Sequence, residues 1–258
     1  MTFEEIAGYC LDKPYAEETY PFDETTMVMK VGGKMFALLD SEKGEAINLK
    51  HPSDNIPELI ERHACISPGY HMSKKHWITV NYKHPDLRSS EILELVDISY
   101  ALIIESLPKK MKIPLSTIFK TFDVDGSEYQ KALALRQKIL RDPLGLTITK
   151  DDLKGEERDI HIGGFYKDEL IACCILSPLQ EIRMKVRQVA VDDKCQGMGI
   201  GTHLMEYAEN QAIRNGAESI ILHARKNVMP WYVTLGYEVI GEEFFEVGIP
   251  HVKMFKNL

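Results

Sequence analysis

The chain has 258 residues, 44% hydrophobic and 27% charged, a balance that excludes extensive disorder and suits two domains of ordinary size. No apolar run approaches the roughly 20 residues a membrane helix needs, and the opening segment MTFEEIAGYCLDK is acidic where a secretory signal is basic, so a cytoplasmic protein is expected. The net charge is −8, and the first 112 residues hold 13 basic against 18 acidic side chains, which disfavours non-specific attraction to nucleic acid.

The five cysteines, Cys10, Cys65, Cys173, Cys174 and Cys195, include no C-x-x-C pair, so neither a disulfide framework nor a zinc site is expected. Cys173 and Cys174 lie in the apolar run LIACCIL and read as buried thiols, whereas Cys195 falls in a loop that leaves it open to exposure.

In chain order, Thr2 to Leu11 reads as a helix with Thr2 as its cap. Met27 to Val31 and Lys34 to Leu39 read as strands joined by a tight Gly32-Gly33 hairpin. Ala46 to Leu49 and Trp77 to Asn81 are further strands, with a short helix over Asn55 to His63. The segment Ser90 to Leu107 places Ile92, Leu95, Val96, Ser99, Leu102, Ile103 and Leu107 on one helical face, with Ser89 and Ser90 able to cap it and Pro108 ending it. Pro108 to Asp125 is the expected boundary. The first part is therefore α+β with a mostly antiparallel sheet.

Downstream, Glu128 to Arg141 reads as a helix stopped by Asp142-Pro143. Ile160 to Tyr166 and Glu169 to Ser177 form a hairpin, and Arg183 to Val191 is a strand. Gly199 to Asn215 is a helix with Gly216 as its stop. Ser219 to Ala224 is a strand, Met229 to Leu235 a short helix, and Tyr237 to Phe245 and His251 to Phe255 are the last strands.

The passage VRQVAVDDKCQGMGIGTHLMEYAENQA carries the chemistry: a strand runs into a glycine-rich turn and then an amphipathic helix. Gly197, Gly199 and Gly201 allow close approach of a ligand to backbone, and the free amides at the helix start favour an anion. The spacing G-x-G-x-G, set off from the strand by Asp192 to Cys195, does not fit the dinucleotide fingerprint, and no lysine follows Gly201 as a P-loop requires.

Gln196-x-x-Gly199-x-Gly201 after the strand Gln188 to Val191 resembles the coenzyme A pyrophosphate motif of the GNAT superfamily of N-acetyltransferases. LHARKNVMPWYVTLGYEVIGEEFFEVGIPHVKMFK resembles that superfamily's second cofactor segment and C-terminal strands, and LALRQKILRDPLG its first helix. The resemblance covers residues 116 to 258 and implies a mixed, mostly antiparallel sheet, with acetyl-coenzyme A as donor to an amine acceptor. It further implies that Val189, Ala190 and Val191 offer backbone groups to the pantetheine arm, because their strand splays from its neighbour. The amides of Gln196, Gly197, Met198, Gly199, Ile200 and Gly201, with Thr202, would hold the pyrophosphate. Tyr232 falls where many members keep a tyrosine that protonates the departing thiolate. Arg225 stands where many members have an asparagine that touches the cofactor arm, with Asn227 two residues later, and the contact is left open between Arg225 and Asn227. Glu246 and His251, bracketing Gly248-Ile249-Pro250, are the candidates for general base, with His161 and His223 further ones.

In the first part, ETTMVMKVGGKMFALLD, PGYHMSKKHWITV and DISYALIIESLPKK resemble the MmcQ/YjbR-like family over residues 1 to 112, which implies a fold like CyaY and frataxin. Members are often labelled DNA-binding. The basic stretch Lys74, Lys75, His76, Lys83, His84 and Arg88 around Trp77 would serve such a partner, but the negative balance disfavours nucleic acid and Trp77 is better read as a core anchor. His71 and Tyr70 are read equally as a turn or as part of a binding surface. The expectation is a two-domain acetyltransferase whose first domain positions the acceptor or a partner. The alternative is an acyl-coenzyme A sensor with a nucleic-acid- or protein-binding first domain. A homodimer is compatible with either, and neither has a membrane or metal role.

Overall fold

Two units make up the computed structural model, Met1–Leu115 and Ser116–Leu258, and residues 1–42, 44–179 and 182–258 are described. The first contains α1 (Phe3–Leu11), β1 (Glu17–Thr19), β2 (Thr26–Val31), β3 (Lys34–Asp40), β4 (Ala46–Lys50), α2 (Ile56–Arg62), β5 (Ile66–Pro68), β6 (Trp77–Asn81), α3 (Ser89–Glu105) and α4 (Lys109–Leu115). Its strands form one antiparallel sheet in the order β1-β2-β3-β4-β6-β5. Thr2 caps α1 through a reciprocal box, its hydroxyl accepting from the Glu5 amide at 3.2 Å while Glu5 accepts from the Thr2 amide at 2.7 Å. Gly32 and Gly33, at φ +56° and +75°, make the two-residue turn between β2 and β3.

Helix α3 lies on one face of this sheet with Ile92, Leu95, Val96 and Ile103 buried. Ser99 is buried on the same face because it clips helix to sheet: its hydroxyl donates to the Phe36 carbonyl of β3 and accepts from the Lys50 amide of β4 at 2.7 Å. The start of α3 differs from expectation. Ser89 and Ser90 lie inside its first turn, and the cap is Arg88, whose amide donates to the Glu91 carboxylate at 2.8 Å. The opposite face buries Trp77 against Val28 and Leu38, so its ring is not available to stack on a base. Gly69 is required beneath it, since a Cβ there would stand 2.7 Å from the Trp77 Cβ.

The expected boundary segment is structured. Pro108 to Asp125 contains α4 and β7 (Ile118–Phe122), and the change of unit falls between Leu115 and Ser116. The second unit continues with α5 (Ser127–Arg136), β8 (Ile160–Tyr166), β9 (Glu169–Pro178), β10 (Arg183–Val191), α6 (Ile200–Arg214), β11 (Ser219–Arg225), α7 (Met229–Thr234), β12 (Glu238–Val239), β13 (Phe244–Glu246) and β14 (Ile249–Asn257). The order is β12-β14-β11-β10-β9-β8-β7 with β13 also on β14, and β10 with β11 is the parallel pair in an otherwise antiparallel sheet. The strand expected over Tyr237 to Phe245 is two short ones, interrupted at Gly241 (φ +78°). The helix expected to reach Arg141 ends at Arg136, and Gln137–Arg141 widens into a π turn.

LIACCIL is apolar throughout because β9 is covered on both faces. Cys173 packs with Ala132 and Leu135 of α5, while Cys174 turns to the side of Tyr232 and Tyr237. One ion pair is sealed in this unit: Arg136 and Glu156, 2% and 1% exposed, meet through two bonds of 2.8 and 2.9 Å, and Tyr129 donates to the same carboxylate at 2.7 Å. Burial alone would raise the Glu156 pKa, but the bonds from Arg136 and Tyr129 outweigh it and hold it below 4.5.

A carboxylate with a depressed folded-state pKa stabilises the fold above its unfolded value and loses that contribution as the pH falls through the folded one. Urea midpoints are therefore expected to drop as the pH is lowered below about 4.5, with a weaker drop in Glu156→Gln. Arg136→Leu strands the carboxylate and should cost about 3–5 kcal/mol at neutral pH.

Candidate active site: a cleft where two strands part

Strands β10 and β11 pair only from Arg183↔Ser219 to Val186↔Leu222. Beyond Val186, β10 shifts register against β9 between Arg187 and Ala190, with Gln188 in the left-handed region at φ +55°. The rest of β10 follows β9, where Ala190 opposes Cys173 and Val191 opposes Ala172, and β11 continues to Arg225 alongside β14. A cleft of about 810 Å³ opens between the parted strands, with Val189 and Val191 on one wall and Leu222 to Arg225 on the other. The backbone of β10 that faces it has lost its strand partner.

The glycine loop closes one end of this cleft. Asp192 caps the short turn Asp193–Cys195 by accepting from the Lys194 amide at 3.0 Å, and its other oxygen receives Lys138 at 2.8 Å. Gln196 folds back to donate to the Val191 carbonyl at 2.9 Å, which fixes the turn to the end of the strand. Gly197 and Gly199 sit at φ +70° and +86° with open space where a Cβ would stand, so conformation and not crowding requires them. Gly201 is different: a Cβ would meet the Trp231 ring at 3.0 Å. Helix α6 starts at Ile200, so the amides of its first turn lack intrahelical acceptors and sit beside the cleft.

Gln196, Gly197, Gly199, Gly201 and Thr202 line the cleft. Ala190 and Ile200 are buried in the core and Met198 is half-buried, so their side chains serve packing and only their backbone is available to a ligand. Asn227 lies exposed in the turn after β11, outside the lining, whereas Arg225 lines the cleft and donates to the Leu140 carbonyl at 2.8 Å. Burial, with Arg141 nearby, lowers the Arg225 pKa. Cys195 is buried at 6% exposure, contrary to the exposure its loop position suggested, and burial raises its pKa.

Tyr232 projects from α7 into the same cleft, 6% exposed, with ring centroids 4.6 Å from Trp231 and 5.8 Å from Tyr237. Burial first, then the nearby Cys174, pushes its phenol pKa up, so it stays protonated at neutral pH. The cleft also joins two of the general-base candidates, Glu246 and His223, in a pairing that the sequence did not show. The Glu246 carboxylate lies 2.7 Å from Nδ1 of His223, and Lys185 Nζ lies 3.3 Å from the same nitrogen. Nδ1 cannot donate to one and accept from the other at once, and the shorter, charge-assisted contact places its proton toward Glu246. Burial lowers the Lys185 pKa, with Glu246 opposing and Arg187 and Lys253 reinforcing.

His251 also lines the cleft, yet its Nδ1 is 3.0 Å from the Ile249 carbonyl and its ring stacks on Phe244 at 6.0 Å. His161 is elsewhere: it is buried, bonded to the Glu156 carbonyl at 2.9 Å and set edge-on against Tyr129.

A family model described as YjbR matches residues 11–102, and one described as an acetyltransferase (GNAT) domain matches residues 154–258. The uncharacterised protein YjbR of Escherichia coli K12 is 34% identical over 113 residues, which span 43% of this chain and 95% of that protein. The uncharacterised N-acetyltransferase YitI of Bacillus subtilis is 28% identical over 131 residues, 48% of this chain and 88% of YitI. A crystal structure from Lactobacillus plantarum, provisionally described as an N-acetyltransferase, shares the fold with a TM-score of 0.51 at 23% identity, covering 55% of this chain and 99% of that one.

Gly201→Ala is expected to displace Trp231, costing about 1–3 kcal/mol in urea unfolding and shifting tryptophan fluorescence. Gly197→Ala should cost about 1 kcal/mol through its dihedral with that fluorescence unchanged.

Proposed function

We propose, given that this chain belongs to the YjbR family in its first domain and carries a GNAT acetyltransferase domain in its second, that it transfers acetyl from acetyl-coenzyme A to an amine in the cleft between β10 and β11. The observation that carries this reading is the convergence on one cleft of an unpaired strand edge, a helix N-terminus behind a glycine loop, a protonated tyrosine and a carboxylate-backed histidine. The loop amides of Gln196 to Thr202 take the pyrophosphate, while Lys138 beside them is paired with Asp192. The backbone of Val189 to Val191 takes the pantetheine arm, and a free amide there polarises the thioester carbonyl.

The acceptor arrives as an ammonium ion. His223, with Nδ1–H held toward Glu246, takes one proton at Nε2, directly or through a water. The neutral amine attacks the carbonyl carbon, so a C–N bond forms. As the tetrahedral adduct collapses, the C–S bond breaks and Tyr232 gives its phenolic proton to the leaving sulfur. The tyrosinate recovers a proton from the adduct nitrogen. The products are amide, free thiol and one proton, which His223 returns to solvent. Glu246 thus orients the base, and His251 holds the turn through Ile249 and the Phe244 ring.

The first domain is assigned recognition of the acceptor or a partner, since donor loop, acid and base all fall within the second. Its antiparallel sheet covered by α1 and α3 supports the CyaY-like reading of its fold.

Tyr232→Phe should lower kcat about 10²-fold or more in thiol-release assays while leaving coenzyme A affinity by calorimetry unchanged. His223→Gln should do likewise, and Glu246→Gln should cost less, because the base survives with its tautomer unsupported. Full turnover in His223→Gln rejects the base assignment, and full turnover in Tyr232→Phe rejects the acid.

A further inference from the structure

We propose that the first domain holds a borderline divalent transition-metal ion of the zinc class, bound by Cys65, His84 and Asp86 with His63 completing the set. The Cys65 sulfur, a ring nitrogen of His84 and a carboxylate oxygen of Asp86 all lie within 4.8 Å of one another. Ligand atoms around tetrahedral zinc stand about 3.5 Å apart, so loading asks these three for closure of about an ångström, carried by the exposed His84 and Asp86, while His63, outside that group, has further to swing. His63 brings its Nδ1 to 3.6 Å from the same Asp86 carboxylate, and that nitrogen is buried without a hydrogen-bond partner. A buried ring nitrogen without a hydrogen bond, at ion-pair distance from a carboxylate, is placed to share a cation with it.

The backbone explains why these side chains meet. They form two pairs, His63-x-Cys65 and His84-x-Asp86, one at the exit of α2 and one in the turn after β6. Strand β5 pairs with β6 from Ile66↔Val80, and the Asn81 amide donates to the Cys65 carbonyl at 2.9 Å, so the ladder sets one pair against the other. Cys65 is 5% exposed at the floor of the group, and His84 and Asp86 form its outer wall. One thiolate, two imidazoles and one carboxylate suit zinc or cobalt over magnesium or calcium, which prefer oxygen alone. Four protein ligands leave no open position, which makes the ion structural and gives it no part in acetyl transfer.

Loading has definite proton bookkeeping. The thiol, whose pKa burial and then Asp86 raise in the metal-free protein, gives up its proton as the metal–sulfur bond forms. At present His84 Nδ1 accepts from the Asp86 amide at 3.2 Å. Ligation through Nε2 moves the ring proton to Nδ1 and ends that contact, while ligation through Nδ1 replaces it.

The full chain, stripped with chelator under reducing conditions, should be titrated with Co²⁺ as a spectroscopic probe. The proposal predicts one equivalent bound with tetrahedral visible absorption and a thiolate-to-cobalt charge-transfer band. Cys65→Ser should abolish that band, and His84→Ala, at an exposed position that leaves the fold intact, should weaken binding by about tenfold or more. Zinc should raise the thermal midpoint of the wild type and not that of His84→Ala. Absence of the charge-transfer band in the wild type, its persistence in Cys65→Ser, or unchanged affinity in His84→Ala overturns the site.

Discussion

The second domain depends on the point at which β10 lets go of β11. Four residue pairs hold the strands in parallel, and after Val186 the register shift around Gln188 carries β10 off with β9. A backbone that leaves a sheet must find other partners for its amides and carbonyls or leave them for a ligand. Here the tail of β10 keeps β9 on one side, and its other edge becomes the wall of the cleft. The same divergence sends the chain into the turn Asp193–Cys195 and then into α6, so the helix N-terminus is delivered to the mouth of the gap that the strands created.

The electrostatics of the cleft draw on this backbone arrangement as well as on charged side chains. Lys138 is neutralised by Asp192 and Asp193, and Arg225 is spent on the Leu140 carbonyl. An anion there meets the first-turn amides together with Arg141, Lys185 and Arg187, which also line the cleft. The cleft also holds groups that can carry a proton. Burial keeps Tyr232 neutral, and the Glu246 carboxylate sits against His223 in the same cavity. The Arg136–Glu156 pair steadies the wall behind, where Arg187 of β10 also binds Asp159 and Ser177.

Much of this was legible in the sequence, for identifiable reasons. Strands such as Trp77 to Asn81, Ile160 to Tyr166 and Arg183 to Val191 have strong β composition and clear turn punctuation, and they occupy those residues. The Thr2 cap and the Gly32-Gly33 turn are local devices that any neighbour leaves intact. What was not legible depends on contacts distant in sequence. Ser99 looks like a flaw in an apolar face until Phe36 and Lys50 supply its partners. The burial of Cys195 is decided by packing, not by its loop position. His223 and Glu246 lie 23 residues apart and meet only because β13 folds back onto β14 beside β11. Likewise Cys65, His84 and Asp86, with His63 beside Asp86, carry no C-x-x-C signature, and it is the β5–β6 ladder that draws them together.

The central claim, that the unpaired edge of β10 and the amides leading into α6 bind the donor, is tested most directly by hydrogen exchange of the full chain with and without acetyl-coenzyme A. The account predicts strong new protection confined chiefly to backbone amides of residues 188–202. Unchanged exchange across those residues at saturating acetyl-coenzyme A, or protection appearing instead outside the cleft, would contradict it.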